Sequence, residues 1–142
     1  TSGMHAPTSD GKVNVVCHLG LVAGWYIFVN DDAIAIKGGK GTWADQAPEN
    51  GPVYNVLIQN CHYGTVHGCL TLGSESVKDR NIVLRNIKVD KAQRVLWLKM
   101  RPDTPQHYEY VTVDNIQGTT GSFLVIRPWT QFFKPGDRKD MP

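Results

Sequence analysis

Two adjacent carboxylates, Asp31 and Asp32, stand directly before the apolar run Ala33-Ile34-Ala35-Ile36, and Lys37-Gly38-Gly39 closes that run. Acidic doublets are poor strand formers, so one that abuts a strand reads either as a site or as a solvated turn. The site reading needs partners. Asp10 lies 21 residues before Asp31, His67 lies 35 after Asp32, and Lys99 and Arg101 follow in the next stretch. Carboxyls held close together do not ionise independently, so one keeps its proton while its neighbour stays charged. Hydrolysis of a glycosidic bond uses that division: one carboxylic acid protonates the leaving oxygen and a carboxylate activates water. Three carboxylates, an imidazole and an ammonium on one face would suit such chemistry, provided that the fold brings them together.

The elements that must do so are written as a repeat. Asn55-Val-Leu-Ile-Gln-Asn60, Asn81-Ile-Val-Leu-Arg-Asn86 and Tyr110-Val-Thr-Val-Asp-Asn115 are one phrase in three versions, with starts 26 and 29 residues apart. Cys69-Leu-Thr-Leu, Val95-Leu-Trp-Leu and Phe123-Leu-Val-Ile keep step with it at spacings of 26 and 28. Each phrase is short, rich in Val, Ile and Leu, and alternates apolar with polar or small residues, which is the signature of strands. Periods of this length belong to stacked repeats, whose units bury their apolar faces only against one another. The expected fold is all-β: a right-handed parallel β-helix of a few coils, forming one domain over residues 1–142. In such a fold equivalent positions of adjacent coils lie about 4.8 Å apart. Asp10, Asp31, Asp32, His67 and Lys99 are then expected along a single groove. Asn60, Asn86 and Asn115 end strands at the repeat period and are expected to stack, their side chains satisfying backbone groups in successive turns.

Leu19 to Val29 is almost wholly apolar, with Gly20 and Gly24 inside it, and reads as a fully buried strand pair or a short buried helix. The preserved spacing favours strands. Gly38 to Pro52 is rich in glycine and proline and is expected to be an inserted loop that lengthens one repeat. Trp129, Phe132 and Phe133 form an aromatic end suited to covering the last coil or to binding a sugar.

Four motifs together resemble the polygalacturonase-type glycoside hydrolases, the family-28 pectinases. Thr8-Ser9-Asp10-Gly11, Asn30-Asp31-Asp32, Val66-His67-Gly68 and Trp97-Leu98-Lys99 stand in the order of that family's Asn-Thr-Asp-Gly, Gln/Asn-Asp-Asp, Gly/Ser-His-Gly and Arg-Ile-Lys. Gly68 to Glu75 is similar to bacterial members. The resemblance implies hydrolysis of galacturonosyl linkages with inversion by a secreted or periplasmic enzyme, acting on pectic polysaccharide or oligogalacturonides. Asp31 would be the general acid, Asp10 and Asp32 would hold and deprotonate the water, and His67 would fix the acid's protonation. Lys99 would bind a substrate carboxylate, as an ammonium suits an anionic sugar. Trp97 occupies the place of the family's arginine, so Arg101 is the candidate second cation, with a surface salt bridge as the alternative. Ser74 and Glu75 either contact a sugar ring or form an ordinary turn. The chain is shorter than a catalytic domain of that family, and a piece of a longer domain is expected. The contrasting expectation is a non-catalytic β-helix fragment that binds acidic polysaccharide or self-associates through its ends.

The remaining residues narrow the field. Fifteen Lys and Arg against thirteen Asp and Glu leave a net charge of +2, too little to argue for nucleic acid. No run approaches the roughly 18 to 20 apolar residues of a membrane helix. Cys17, Cys61 and Cys69 lack CxxC spacing and read as buried thiols, and His5, His18, His62 and His107 have no mutual metal spacing. No metal or other cofactor is expected. Lys37 to Thr42 lacks the spacing of a phosphate loop. Arg85, Lys88, Lys91 and Arg94 read as a solvated basic face.

Overall fold

A computed structural model describes residues 4–6, 12–14, 19–130 and 138–139. Their secondary structure is eight strands: β1 (Met4–Ala6), β2 (Lys12–Asn14), β3 (Gly20–Ala23), β4 (Tyr26–Val29), β5 (Ala35–Lys37), β6 (Val53–Gly73), β7 (Lys78–Met100) and β8 (His107–Pro128). Among the described residues the only helical piece is the single 3-10 turn Ala44–Gln46, inside the inserted loop. Every strand pairing is parallel. Asp10 lies outside the described residues, as do Cys17, His18, Phe132 and Phe133.

Register follows the repeat. Along β6 and β7 the offset is 26 throughout, from Val53 opposite Asp79 to Gly73 opposite Lys99. Between β7 and β8 it is 29 from Lys78 opposite His107, and becomes 28 after an irregularity at Val89/Lys91. The two sequence phrases differ in spacing because one residue is dropped between them at that point. β3, β4 and β5 all lie on β6 at an offset of 36, as in Ala35 opposite Thr71, the excess over 26 being taken up by the 38–52 loop. β1 and β2 sit on β4 and β5 at 23, against the 21 that separates Asp10 from Asp31.

Parallel register stacks like on like. Val22, Ile58 and Leu84 are buried in one column, and Ile36 and Leu72 in another. The run from Leu19 to Val29 does form two strands, but it is not fully buried. β4 alternates, with Ile27 and Val29 inward and Tyr26 and Phe28 outward, and Leu19 and Leu21 are 82% and 67% exposed. Phe28 is accommodated by Gly64, where a Cβ would come within 2.4 Å of the ring. Cys61 and Cys69 are buried free thiols, and burial pushes Cys69 up to about 12.

The strands turn at asparagines in the left-handed region. Asn60, Asn86 and Asn115 have φ of 56°, 53° and 53°. Asn86 donates from Nδ2 to Asn60 Oδ1 at 3.2 Å, and Asn115 to Asn86 Oδ1 at 2.9 Å. The expected stack exists, although these bonds run from side chain to side chain instead of to backbone. A second column starts the phrase: Asn81 donates to Asn55 Oδ1 at 2.8 Å, with φ of 56° and 59°. Asparagine serves because it tolerates this conformation, which costs other L-residues about 1–2 kcal/mol.

Asn86 is therefore a sensitive position. Asn86→Ala is expected to lose about 2 kcal/mol, from the backbone conformation and two partly solvated amide bonds. Asn86→Gly should lose less, since glycine restores the conformation and forfeits only the bonds. Urea unfolding midpoints check this, and equal midpoints for the two variants would contradict it.

Candidate active site

The acidic doublet is held against β6 by main-chain bonds. His67 N–H donates to Asp31 O at 3.0 Å, Ala33 N–H to Gly68 O at 2.8 Å, and Thr71 N–H to Ile34 O at 2.9 Å. This ladder aligns Asp31 with His67 and Asp32 with Gly68. Asp31 Oδ1 accepts the Asp32 backbone N–H at 2.8 Å and stands 3.2 Å from His67 Nδ1. Both side chains are about half exposed, 51% for Asp31 and 48% for His67, so the pair faces solvent. Beside His67 lies a groove of about 690 Å3, lined by Asn30, His67, Lys91, Gln93 and Gly121 among others.

Asp32 is a different kind of acid. It is 3% exposed and lies beside the Thr71 hydroxyl. Burial raises its pKa above the ordinary carboxylate value, while Lys99 and Arg94 pull it down. A Cβ at residue 68 would sit 2.7 Å from Asp32 Oδ1 and 3.0 Å from Thr71 Oγ1. The glycine after His67 is thus required by the carboxyl beneath it.

Three cations gather on one indole. Lys99 Nζ lies 4.2 Å from the centroid of Trp97 and 4.0 Å from that of Trp129, the two rings meeting edge to face at 5.6 Å. The Arg94 guanidinium sits 4.1 Å over Trp97, and Arg127 lies 5.5 Å from it. Such stacking lets a cation shed water without an anionic partner, because the ring face carries negative quadrupole density. Burial pushes Arg94 down, with Asp32 opposing that shift and Arg127 adding to it.

Asp31 therefore meets His67, and Lys99 and Arg94 lie near enough to Asp32 to lower its proton affinity, while of these residues only His67 lines the groove. Arg101 is not the second cation of this group. Its Nε and Nη2 each donate at 2.7 Å to Asp103, in a pair whose side chains are 8% and 9% exposed. The alternative of a salt bridge holds for Arg101, though the bridge is buried. Ser74 is buried and its carbonyl accepts from Gln106 at 2.9 Å. Glu75 pairs with Lys40 at 2.7 Å, and its carbonyl accepts from the N–H groups of Gly38 and Gly39. These two residues anchor the base of the inserted loop, as in the turn reading.

The cation that sequence reasoning missed is Arg94, assigned there to a solvated face. Its signal was present: the 26-residue register that separates the asparagines also sets Arg94 opposite Gly68. Trp97 is the platform on which the cations rest.

A second buried acid lies outside this group. Asp79 is wholly buried, accepts from Ser76 Oγ at 2.5 Å, and has a pKa raised by burial to about 7 from the ordinary 3.8. The folded state keeps a proton that the unfolded chain releases near pH 4. Asp79 therefore contributes stability that is fully present below about pH 4 and is lost as pH rises towards 7, the reverse of a salt-bridged carboxylate. Asp79→Asn should flatten this decline in urea midpoints taken from pH 4 to 8, and an unchanged slope would contradict the assignment.

Compared with models of protein families, with curated proteins and with solved structures, the chain matches none.

Proposed function

We propose that this chain is a right-handed parallel β-helix that hydrolyses galacturonosyl linkages of pectic polysaccharide or oligogalacturonides, in the manner of polygalacturonase-type glycoside hydrolases, outside the cytoplasm. The fold part rests on reach. A straight strand of 21 residues such as β6 would run about 70 Å at 3.3 Å per residue. The four residues from Ser74 to Val77 that join it to β7 span at most about 14 Å. Chain so joined is parallel in register only if each long strand bends round into a coil, and the left-handed asparagines supply the bends.

The chemical part rests on one observation: a carboxyl pair beside an imidazole, with Lys99 and Arg94 stacked on indoles near Asp32. Asp31 is the solvent-facing member and the one His67 can orient, so it serves as general acid to the leaving oxygen. Asp32 is the base. Burial raises its proton affinity above that of an ordinary carboxylate and Lys99 and Arg94 oppose that rise, and a stronger base is what general-base catalysis uses. Asp10 completes the resemblance as the other water-holding carboxylate. Lys99 and Arg94 receive the substrate carboxylate, with Arg94 taking the part first given to Arg101.

The near-complete burial of Asp32 favours a second reading, a non-catalytic β-helix that binds acidic polysaccharide through the same cations. Release of reducing ends from polygalacturonate separates the two. Under the enzymatic reading Asp31→Asn loses about 100-fold or more in kcat, and Arg94→Gln raises KM with a smaller change in kcat. Background release by parent and Asp31→Asn alike, with polymer binding retained, would leave only the binding reading.

A further inference from the structure

The asparagine column that opens each phrase is broken at its third position. Asn55 and Asn81 are followed there by Tyr110, which adopts the same left-handed conformation with φ of 53°. A bulky aromatic at positive φ is uncommon and costly, and such strain collects where a side chain has work to do. Tyr110 contributes little to the core, being 66% exposed. The other column, Asn60 to Asn115, keeps asparagine at all three positions, so the fold does not itself require a tyrosine at this corner.

What the tyrosine does build is a groove of about 650 Å3, walled by Tyr54, Asn55, Lys78, Arg80, Asn81 and Tyr110. Its size falls within the range of about 300–1,000 Å3 common for ligand clefts. The Arg80 guanidinium lies 5.2 Å from the centroid of Tyr110, and its Nε is 3.4 Å from Glu109 Oε1 at the margin. Lys78 is exposed on the same side. The groove is not part of the carboxylate site: Tyr54 precedes His67 by 13 residues and Arg80 precedes Arg94 by 14, with the Asn60 and Asn86 corners between.

We infer that this groove is a second binding site, for an anionic saccharide, separate from the carboxylate pair. Tyrosine rings offer flat apolar faces to the C–H side of a pyranose, Lys78 and Arg80 offer charge to a ring carboxylate, and the two amides offer hydroxyl partners. A neutral sugar would leave Lys78 unused, Arg80 being shared with Glu109 and Tyr110, and a small inorganic anion would leave the aromatic surface unused. The choice of a uronate rests on the proposed pectic substrate.

The test uses trigalacturonate as probe, titrated calorimetrically and by NMR into Asp31→Asn protein so that the probe is not consumed. Two independent sites are expected. Tyr110→Asn and Arg80→Gln should each weaken one of them about tenfold, while Lys99→Met weakens the other. Tyr110→Asn should also raise the urea midpoint, because it restores the asparagine column. Trigalactose, lacking carboxylates, should not occupy the groove. Folded Tyr110→Asn and Arg80→Gln proteins that bind trigalacturonate as the parent does would overturn the inference, as would a single site abolished by Lys99→Met. The hydrolytic reading stands or falls separately, on reducing-end release by protein with Asp31 intact. Tyr110-sensitive binding without release would sink that reading and leave this one.

Discussion

The constraint on which the rest depends is the parallel register of β6 against β7, constant at 26 residues over the whole length of both strands. A slip of one residue would turn every inward side chain outward, because side chains alternate along a strand. The buried columns make such a slip expensive: Ile58, Leu70, Leu72, Leu84 and Ile82 are all fully covered. The same register that protects the core fixes which polar residues meet. Gly68 must face Arg94, and Gly73 must face Lys99. Which polar residues meet is thus written in offsets along the chain, and the apolar columns hold those offsets in place.

Within that frame the proposed site balances two costs. Burying Asp32 removes its carboxyl from water, which on its own would favour the neutral acid. Crowding Arg94, Lys99 and Arg127 around Trp97 brings like charges together, which on its own would drive them apart. Each arrangement relieves the other, since the cations lower the proton affinity of Asp32 and Asp32 offsets the loss imposed on Arg94 by burial. The indoles make the crowding tolerable by offering their faces in place of some of the water.

The strands, the period and the asparagine column were legible because each depends on local residue types repeated at a fixed distance. The pairing of the doublet with His67 was legible because they sit at matching places in successive phrases, whereas Lys99 lies opposite Gly73, six residues beyond His67. Arg94 was not legible, since it was judged by its neighbours Lys88 and Lys91, which are exposed, instead of by its register partner Gly68. Arg101 failed for the complementary reason: Asp103, two residues on, captures it in a buried bidentate pair, a local contact that period counting ignores. The exposed half of Leu19 to Val29 was hidden because composition reports how apolar a run is and not which face each residue takes.

Burial also changes along the stack in a way that composition conceals. Leu72 is wholly buried, its neighbour Leu98 is partly so, and Ile126, next in the same column, is 61% exposed. β8 pairs only with β7 among the described residues, so its outer side has nothing described to pack against. Apolar residues of equal size therefore contribute most where β5, β6 and β7 adjoin and least on β8. The carboxylate pair, His67, Arg94 and Lys99 all belong to the well-covered part, whereas β8 supplies Arg127. A constellation held to close tolerance needs supports that do not fray, and burial is deepest in the part of the sheet that carries the proposed site.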